Sequence, residues 1–145
     1  MLCQRLGGAS DPTSILLAVD PKKAVLVVED DPASQLLAQT ILEQAGYEVL
    51  TARTADDALA QLDRKLPALI LMDVDLPGRD GLSLTRLLKT MSPTTSIPVV
   101  ALTAHSSLQR RQEAMAAGCI GFIAKPIDVH SFPVRVADFI GAPEA

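Results

Sequence analysis

The sequence predicts an α/β fold, a parallel sheet doubly wound by helices, and three observations predict it. Strand-like apolar runs alternate with stretches of helical period five times between Lys22 and Ile140, the pattern of successive βα units. Several of those runs are aliphatic without interruption rather than alternating, as in strands covered on both faces. Aromatic residues are 3% of the 145, with no Trp, so the core has to be built from aliphatic side chains. A chain 48% apolar and 21% charged is globular rather than disordered, and its length suits one domain.

The elements follow in order. "AVLVVE" at 24–29 is β-branched and apolar, hence a buried first strand. "PASQLLAQTILEQAG" at 32–46 places Leu36, Leu37, Thr40, Ile41 and Ala45 at helical spacing, and Gly46 ends it. "YEVLTA" at 47–52 alternates as a second strand, and "ADDALAQLDRK" at 55–65 is a short amphipathic helix stopped before Pro67. "ALILMD" at 68–73 is the third strand. "DGLSLTRLLKTM" at 80–91 gathers Leu82, Leu84, Leu87 and Leu88 largely on one helical face. "IPVVALTA" at 97–104 is the fourth strand, and "SSLQRRQEAMAAG" at 106–118 a polar helix closed by Gly118. "CIGFIAKP" at 119–126 is the fifth strand. "DVHSFPVRVADFI" at 128–140 is the last helix, with Pro133 expected near its first turn, where the missing N–H costs least. Right-handed crossovers and short connections favour the flavodoxin-like strand order 2-1-3-4-5.

Residues 1–21 stand outside this alternation. Ser10-Asp11-Pro12 could start a helical turn and 15–19 is apolar, but a mobile N-terminal extension is the expectation. Residues 142–145 read as a short C-terminal tail.

Charge and cysteine content exclude several function classes. The net charge is −4 and Lys and Arg form no block, which argues against direct nucleic-acid binding. No apolar run is long enough to span a bilayer, and 1–17 lacks the layout of a signal peptide, so no membrane association is expected. Cys3 and Cys119 sit in unrelated contexts and suggest neither a disulfide nor a metal site. A reducing compartment, the cytoplasm, is the expected location.

Ligands of open α/β sheets bind outside the carboxyl ends of the strands, at the switch in strand order. In the predicted order the first strand ends at Glu29-Asp30-Asp31, the third at Asp73, the fourth at Thr103 and the fifth at Lys125-Pro126. These ends converge on one edge. Two like charges 4 Å apart repel by roughly 4 kcal/mol at an effective dielectric near 20. Glu29, Asp30 and Asp73 together therefore need more positive charge than Lys125 alone supplies. A hard divalent ion with oxygen ligands, Mg²⁺ in the first place, completes the balance. Beside such an ion and Lys125, Asp73 can serve as a carboxylate nucleophile toward a phosphoryl group, with the Thr103 hydroxyl donating to a phosphoryl oxygen.

Each feature alone has a plainer reading. Asp31 before Pro32 reads as a helix cap. Glu29 and Asp30 could equally belong to the start of that helix, Lys125 could be a solvated loop residue, and Thr103 an ordinary strand hydroxyl. Asp75 suits a turn, His105 and His130 suit the surface, and Cys119 reads as a small core residue. The conjunction of all of them at matching strand ends is what points to chemistry.

Over about residues 23–140 the sequence resembles the receiver domain of two-component response regulators, through "VLVVEDD", "LILMDVDLPGRDGL", "PVVALTA" and "GFIAKPI". The likeness is greatest to stand-alone receivers of the DivK kind and to receivers of hybrid kinases. The resemblance implies a receiver domain at 22–141 whose phosphoacceptor is Asp73, supplied by a histidine kinase or histidine phosphotransfer protein. It implies Mg²⁺ (or Mn²⁺) held by Glu29, Asp30, Asp73 and the backbone carbonyl of Asp75. Thr103 matches the switch hydroxyl, Lys125 the lysine that pairs with the phosphoryl group, and Phe122 the aromatic residue that swings inward on phosphorylation. Asp75 and His105 fall where family members tune dephosphorylation.

By the same resemblance the chain is a signalling domain rather than a conventional enzyme, assisting only its own phosphorylation and dephosphorylation. It is expected to act as a monomer or weak dimer. The sequence stops five residues after Ile140, so its output is expected to be contact with a downstream protein target through the face of helix four, strand five and helix five. Arg110, Arg111 and Glu113 on helix four fit either that contact or a solvated face. Phe122 departs from the common Tyr and lacks its hydroxyl. Two alternatives share the features: a degenerate receiver kept as a binding module, and a phosphohydrolase of the haloacid dehalogenase type, whose Asp-x-Asp motif "LILMDVD" resembles. The first usually loses a site residue that this chain keeps. The second places its aspartates on the first strand, where this chain has Glu29-Asp30. A flavin or nucleotide binder would want a Gly- or Ser/Thr-rich loop where "EDDPAS" stands.

Overall fold

The computed structural model describes residues 23–76, 81–104 and 107–141. The expected extension at 1–21, the tail at 142–145 and residues 77–80 lie outside the described residues.

Five strands form one parallel sheet: β1 (Ala24–Val28), β2 (Glu48–Ala52), β3 (Leu69–Asp73), β4 (Val99–Thr103) and β5 (Gly121–Ala124). Their order is β2-β1-β3-β4-β5, as the crossovers predict. The helices are α1 (Pro32–Gln44), α2 (Ala55–Arg64), α3 (Gly81–Lys89), α4 (Leu108–Ala117) and α5 (Ser131–Gly141). Among the described residues, no helix is long and apolar enough to cross a membrane.

The aliphatic runs are buried on both faces because the pleat sends alternate side chains to two separate cores. Val25, Val27, Leu69, Leu71, Val100, Leu102 and Ile123 pack with Ala38, Ile41 and Leu42 of α1 and Phe132 and Val136 of α5. Leu26, Val28, Ile70, Met72, Val99 and Ala101 pack on the other face with α2, α3 and α4. All five residues of β1, β3 and β4 are buried, whereas β2 at the edge is only half-buried along most of its length. β2 is accordingly the strand whose sequence alternates.

Local signals account for the helix ends. The Asp31 side chain accepts from the Ser34 N–H at 2.9 Å with Pro32 in the first helical turn, so the capping role expected of Asp31 is the one observed. Ser107 caps α4 by accepting from the Arg110 N–H at 3.2 Å. Gly118 closes that helix with φ 117°, a left-handed conformation that glycine adopts without strain. Pro133 lies at the third position of α5, within the first turn.

Several boundaries differ from the sequence expectation, among them the end of α3 and both ends of β5. α3 stops at Lys89 and is followed by a 3₁₀ turn at Thr94–Ser96. The buried Thr94 hydroxyl reaches Leu88 O at 2.7 Å and Met91 O at 2.9 Å. A side-chain hydrogen bond makes that turn, and it leaves no mark on apolar periodicity. β5 is shorter than 119–126 because the Cys119 N–H turns back to Ala114 O at 3.0 Å. At its other end Lys125 leaves the ladder after donating its N–H to Thr103 O at 2.8 Å.

Gly81 fixes how closely α3 meets β3. A Cβ there would lie 2.1 Å from the carbonyl oxygen of Asp73 and 2.9 Å from Met72 Cγ. Gly81→Ala is expected to lower stability by about 1–3 kcal/mol, the usual cost of an extra buried methyl, seen as a lower urea midpoint. An unchanged midpoint would show that α3 can move off β3 freely.

Candidate functional site

The strand order sets the carboxyl ends of β1, β3, β4 and β5 side by side, and the sequence has placed its polar residues there. Asp73 is the last residue of β3 and Glu29 follows β1; both are buried, at 2% and 1% exposure. Asp30 is their more open neighbour. One carboxylate oxygen from each of the three lies within 4.8 Å of the others. Lys125, just past β5, brings its ammonium 2.7 Å from Glu29 Oε1 and 3.5 Å from Asp73 Oδ2. Glu29, Asp30, Asp73 and Lys125 are thus brought together as expected.

The remaining partners are backbone groups. The Asp31 N–H donates to Glu29 Oε2 at 3.1 Å, and the Asp75 N–H donates to Asp73 Oδ1 at 2.9 Å. Gln35 of α1 donates from Nε2 to Glu29 O and Ala52 O, both at 3.2 Å, tying the ends of β1 and β2 to the helix. Gln35 was not among the residues expected at the site from the sequence. A polar residue one turn into a helix, facing two strand ends, was its signal. Thr103 ends β4 and is buried at 3% exposure. The ladder sets Asp73 beside Leu102, so Thr103 stands one residue further out, beside Ala124.

The charges are visibly out of balance. Burial raises the pKa of Asp73; the Asp75 N–H works against that, and Glu29 adds to it. Asp30 is raised by its partial burial and then by Asp73. Burial alone would lower Lys125, but Glu29 and Asp73 outweigh it and its pKa is raised. One ammonium faces three carboxylates. Glu29 Oε1, although close to the ammonium, has no aligned hydrogen-bond donor. A clustered, oxygen-only donor set with an under-satisfied buried oxygen fits a hard divalent cation.

Phe122 and the α4 arginines complete the surroundings. Phe122 lies on β5, half-buried, packed against the core face that α4 covers. The Arg111 guanidinium sits 4.3 Å from its ring centroid, and Arg135 of α5 donates to its carbonyl at 2.8 Å. Arg110 pairs with Asp75 Oδ1 at 2.9 Å and with Glu113 Oε1 at 2.9 Å. Neither α4 arginine belongs to a merely solvated face. His105 lies outside the described residues.

The sign of the Asp73 shift gives a stability prediction. Because its folded pKa is raised, the folded state holds that proton more tightly than the unfolded chain. Its contribution therefore favours folding at low pH and is lost as pH rises through the raised value. In chelator at neutral pH, Asp73→Asn should raise Tm by several degrees, on the order of 1 kcal/mol or more. The gain should shrink toward acid pH, where the native carboxylate is protonated. A lowered Tm would mean that Lys125 and the Asp75 N–H over-compensate the repulsion.

Comparison with known proteins agrees with this geometry. A model of the response regulator receiver domain matches residues 25–137. The polar-differentiation response regulator DivK of Brucella ovis is 34% identical over 119 residues, 82% of this chain and 97% of the relative. A putative response regulator from Chloroflexus aurantiacus superposes with a TM-score of 0.79 at 30% identity, over 83% of this chain and 99% of that one. The receiver domain of a sensor histidine kinase from Pseudomonas aeruginosa, whose structure has a magnesium ion coordinated in the active-site cleft, superposes with a TM-score of 0.76. It too is 30% identical, over 83% and 99% of the two chains.

Proposed function

Since the chain belongs to the response regulator receiver family of two-component signalling, we propose that it is a single-domain response regulator whose Asp73 accepts a phosphoryl group. The donor is the phosphohistidine of a histidine kinase or histidine phosphotransfer protein, and the reaction takes place in the cytoplasm. The observation that carries this reading is the buried Asp73 carboxylate held between Glu29, Asp30 and the Lys125 ammonium at one strand edge.

In the transfer an Asp73 oxygen attacks phosphorus and the phosphorus–nitrogen bond of the donor breaks, its electron pair leaving with the imidazole. The Asp75 N–H, already bonded to Asp73 Oδ1, leaves Oδ2 as the attacking atom, on the side facing Lys125. Lys125 neutralises charge gathering on the transferred oxygens, and the Thr103 hydroxyl donates to one of them. Glu29, Asp30, Asp73 and the carbonyl of Asp75 would hold Mg²⁺ (or Mn²⁺), which when bound offsets the carboxylates and polarises the phosphoryl oxygens.

Drawing Thr103 toward the site vacates space on the side where Phe122 packs, and the ring turns in to fill it. Arg111, now stacked on that ring, has to move with it. The altered surface meets a downstream protein target rather than nucleic acid, through α4, β5 and α5. There Leu108, Met115, Ile120 and Val134 are exposed. The protein acts as a monomer or weak dimer. Asp75 and His105 tune the loss of the phosphoryl group.

Intact mass after incubation with acetyl phosphate and Mg²⁺ tests the reading. One phosphoryl adduct is expected, absent with chelator and absent in Asp73→Asn. A hydroxylamine-sensitive phosphoryl adduct of equal yield on Asp73→Asn would overturn the assignment. Lys125→Ala should still take some label while hydrogen exchange across α4 and β5 no longer responds to it. Mg²⁺ alone at ten times its Kd should stabilise the native chain by about 1.4 kcal/mol, and Asp30→Asn should remove most of that gain.

A further inference from the structure

Among the described residues, Arg110 meets the site only through Asp75. It lies in the first turn of α4, yet its Nη2 is 2.9 Å from Asp75 Oδ1, a residue 35 positions earlier. Its Nη1 is held at 2.9 Å by Glu113, one turn along the same helix. The guanidinium is therefore fixed from behind and presented to Asp75. A partly exposed ion pair adds little stability, typically under about 1 kcal/mol, so its interest lies in what it orients.

Asp75 is anchored at both ends. Its N–H is bonded to Asp73 Oδ1 at 2.9 Å, and its carboxylate is committed to Arg110. Around Asp73, Glu29 is buried against Lys125 and Asp30 belongs to the cation cluster. Asp75 keeps 48% of its side chain accessible, so its carboxylate borders the solvent from which an attacking water must come. In hydrolysis the water oxygen bonds to phosphorus and the bond to the Asp73 oxygen breaks with its electron pair. The water's proton goes to a base, leaving inorganic phosphate and a free Asp73 carboxylate. A carboxylate within reach could take that proton.

We propose that Arg110 is a positioning residue that prolongs the life of the phosphoryl group on Asp73 by holding the Asp75 carboxylate on α4, away from the attacking water. This rests on Asp73 being the phosphoacceptor. With Arg110 removed, Asp75 is free to turn toward the site and hydrolysis accelerates.

The test follows the phosphoryl adduct by intact mass after acetyl phosphate is removed from the full chain in Mg²⁺. Arg110→Gln should shorten its half-life at least threefold with Tm unchanged, and Arg110→Lys should restore most of the native lifetime. In an Asp75→Asn background, Arg110→Gln should have no further effect. A native or longer lifetime in Arg110→Gln, or the same shortening with and without Asp75, would overturn the proposal while leaving the phosphoacceptor assignment standing. Failure of the native chain to take any phosphoryl group, from acetyl phosphate or from a phosphorylated histidine kinase, would defeat the assignment and the proposal with it.

Discussion

Everything at the functional edge depends on one ammonium between two buried carboxylates. Glu29 and Asp73 close the two central strands, where the interior is driest and an isolated charge is most costly. Lys125 is able to meet both only because β5 reaches the same edge through β4. The family fold thus turns a local liability into an arranged one. The apolar strands carry the carboxylates inward, and the last strand returns with the cation. The compensation is partial by design of the residue count, one positive charge against three negative ones. The edge is therefore under an electrostatic tension that a divalent cation would relieve.

Much of this was legible in the sequence, and the reasons are physical. Short, β-branched aliphatic runs between turn residues fit strands buried on both faces, so β1, β3 and β4 were plain. Strand-end residues such as Glu29, Asp73, Thr103 and Lys125 could be gathered because strand order alone sets them adjacent. What stayed hidden depends on side-chain reach rather than period. The turn at Thr94–Ser96 is made by a threonine hydroxyl, and Gln35 joins two strand ends by its amide. The pairing of Arg110 with Asp75 and the stacking of Arg111 on Phe122 span elements far apart in the chain. No spacing rule distinguishes them from solvated arginines, which is why helix four admitted two readings from sequence.

The two α4 arginines also show how a signal edge and a contact face can share one helix turn. Neighbouring residues point to different clients: one to the loop after Asp73, the next to the ring on β5. A shift of that turn cannot move one contact without disturbing the other, and a ligand bound to that face would act back on the site through the same free energy.

The division of the interior into two cores has a further consequence. Along the strands, Glu29, Asp73 and Lys125 continue the parity of Val27, Leu71 and Ile123, the face of α1 and α5. Thr103 shares the parity of Val99 and Ala101, and Phe122 pairs with Ala101 on the face of α4. The pleat has sorted Glu29, Asp73 and Lys125 to one side of the sheet and Thr103 and Phe122 to the other. A single-residue insertion or deletion within β4 or β5 would exchange the two sides. Length variation in descendants of this gene should therefore collect in the connections at the opposite edge of the sheet, with the strands themselves keeping a fixed count.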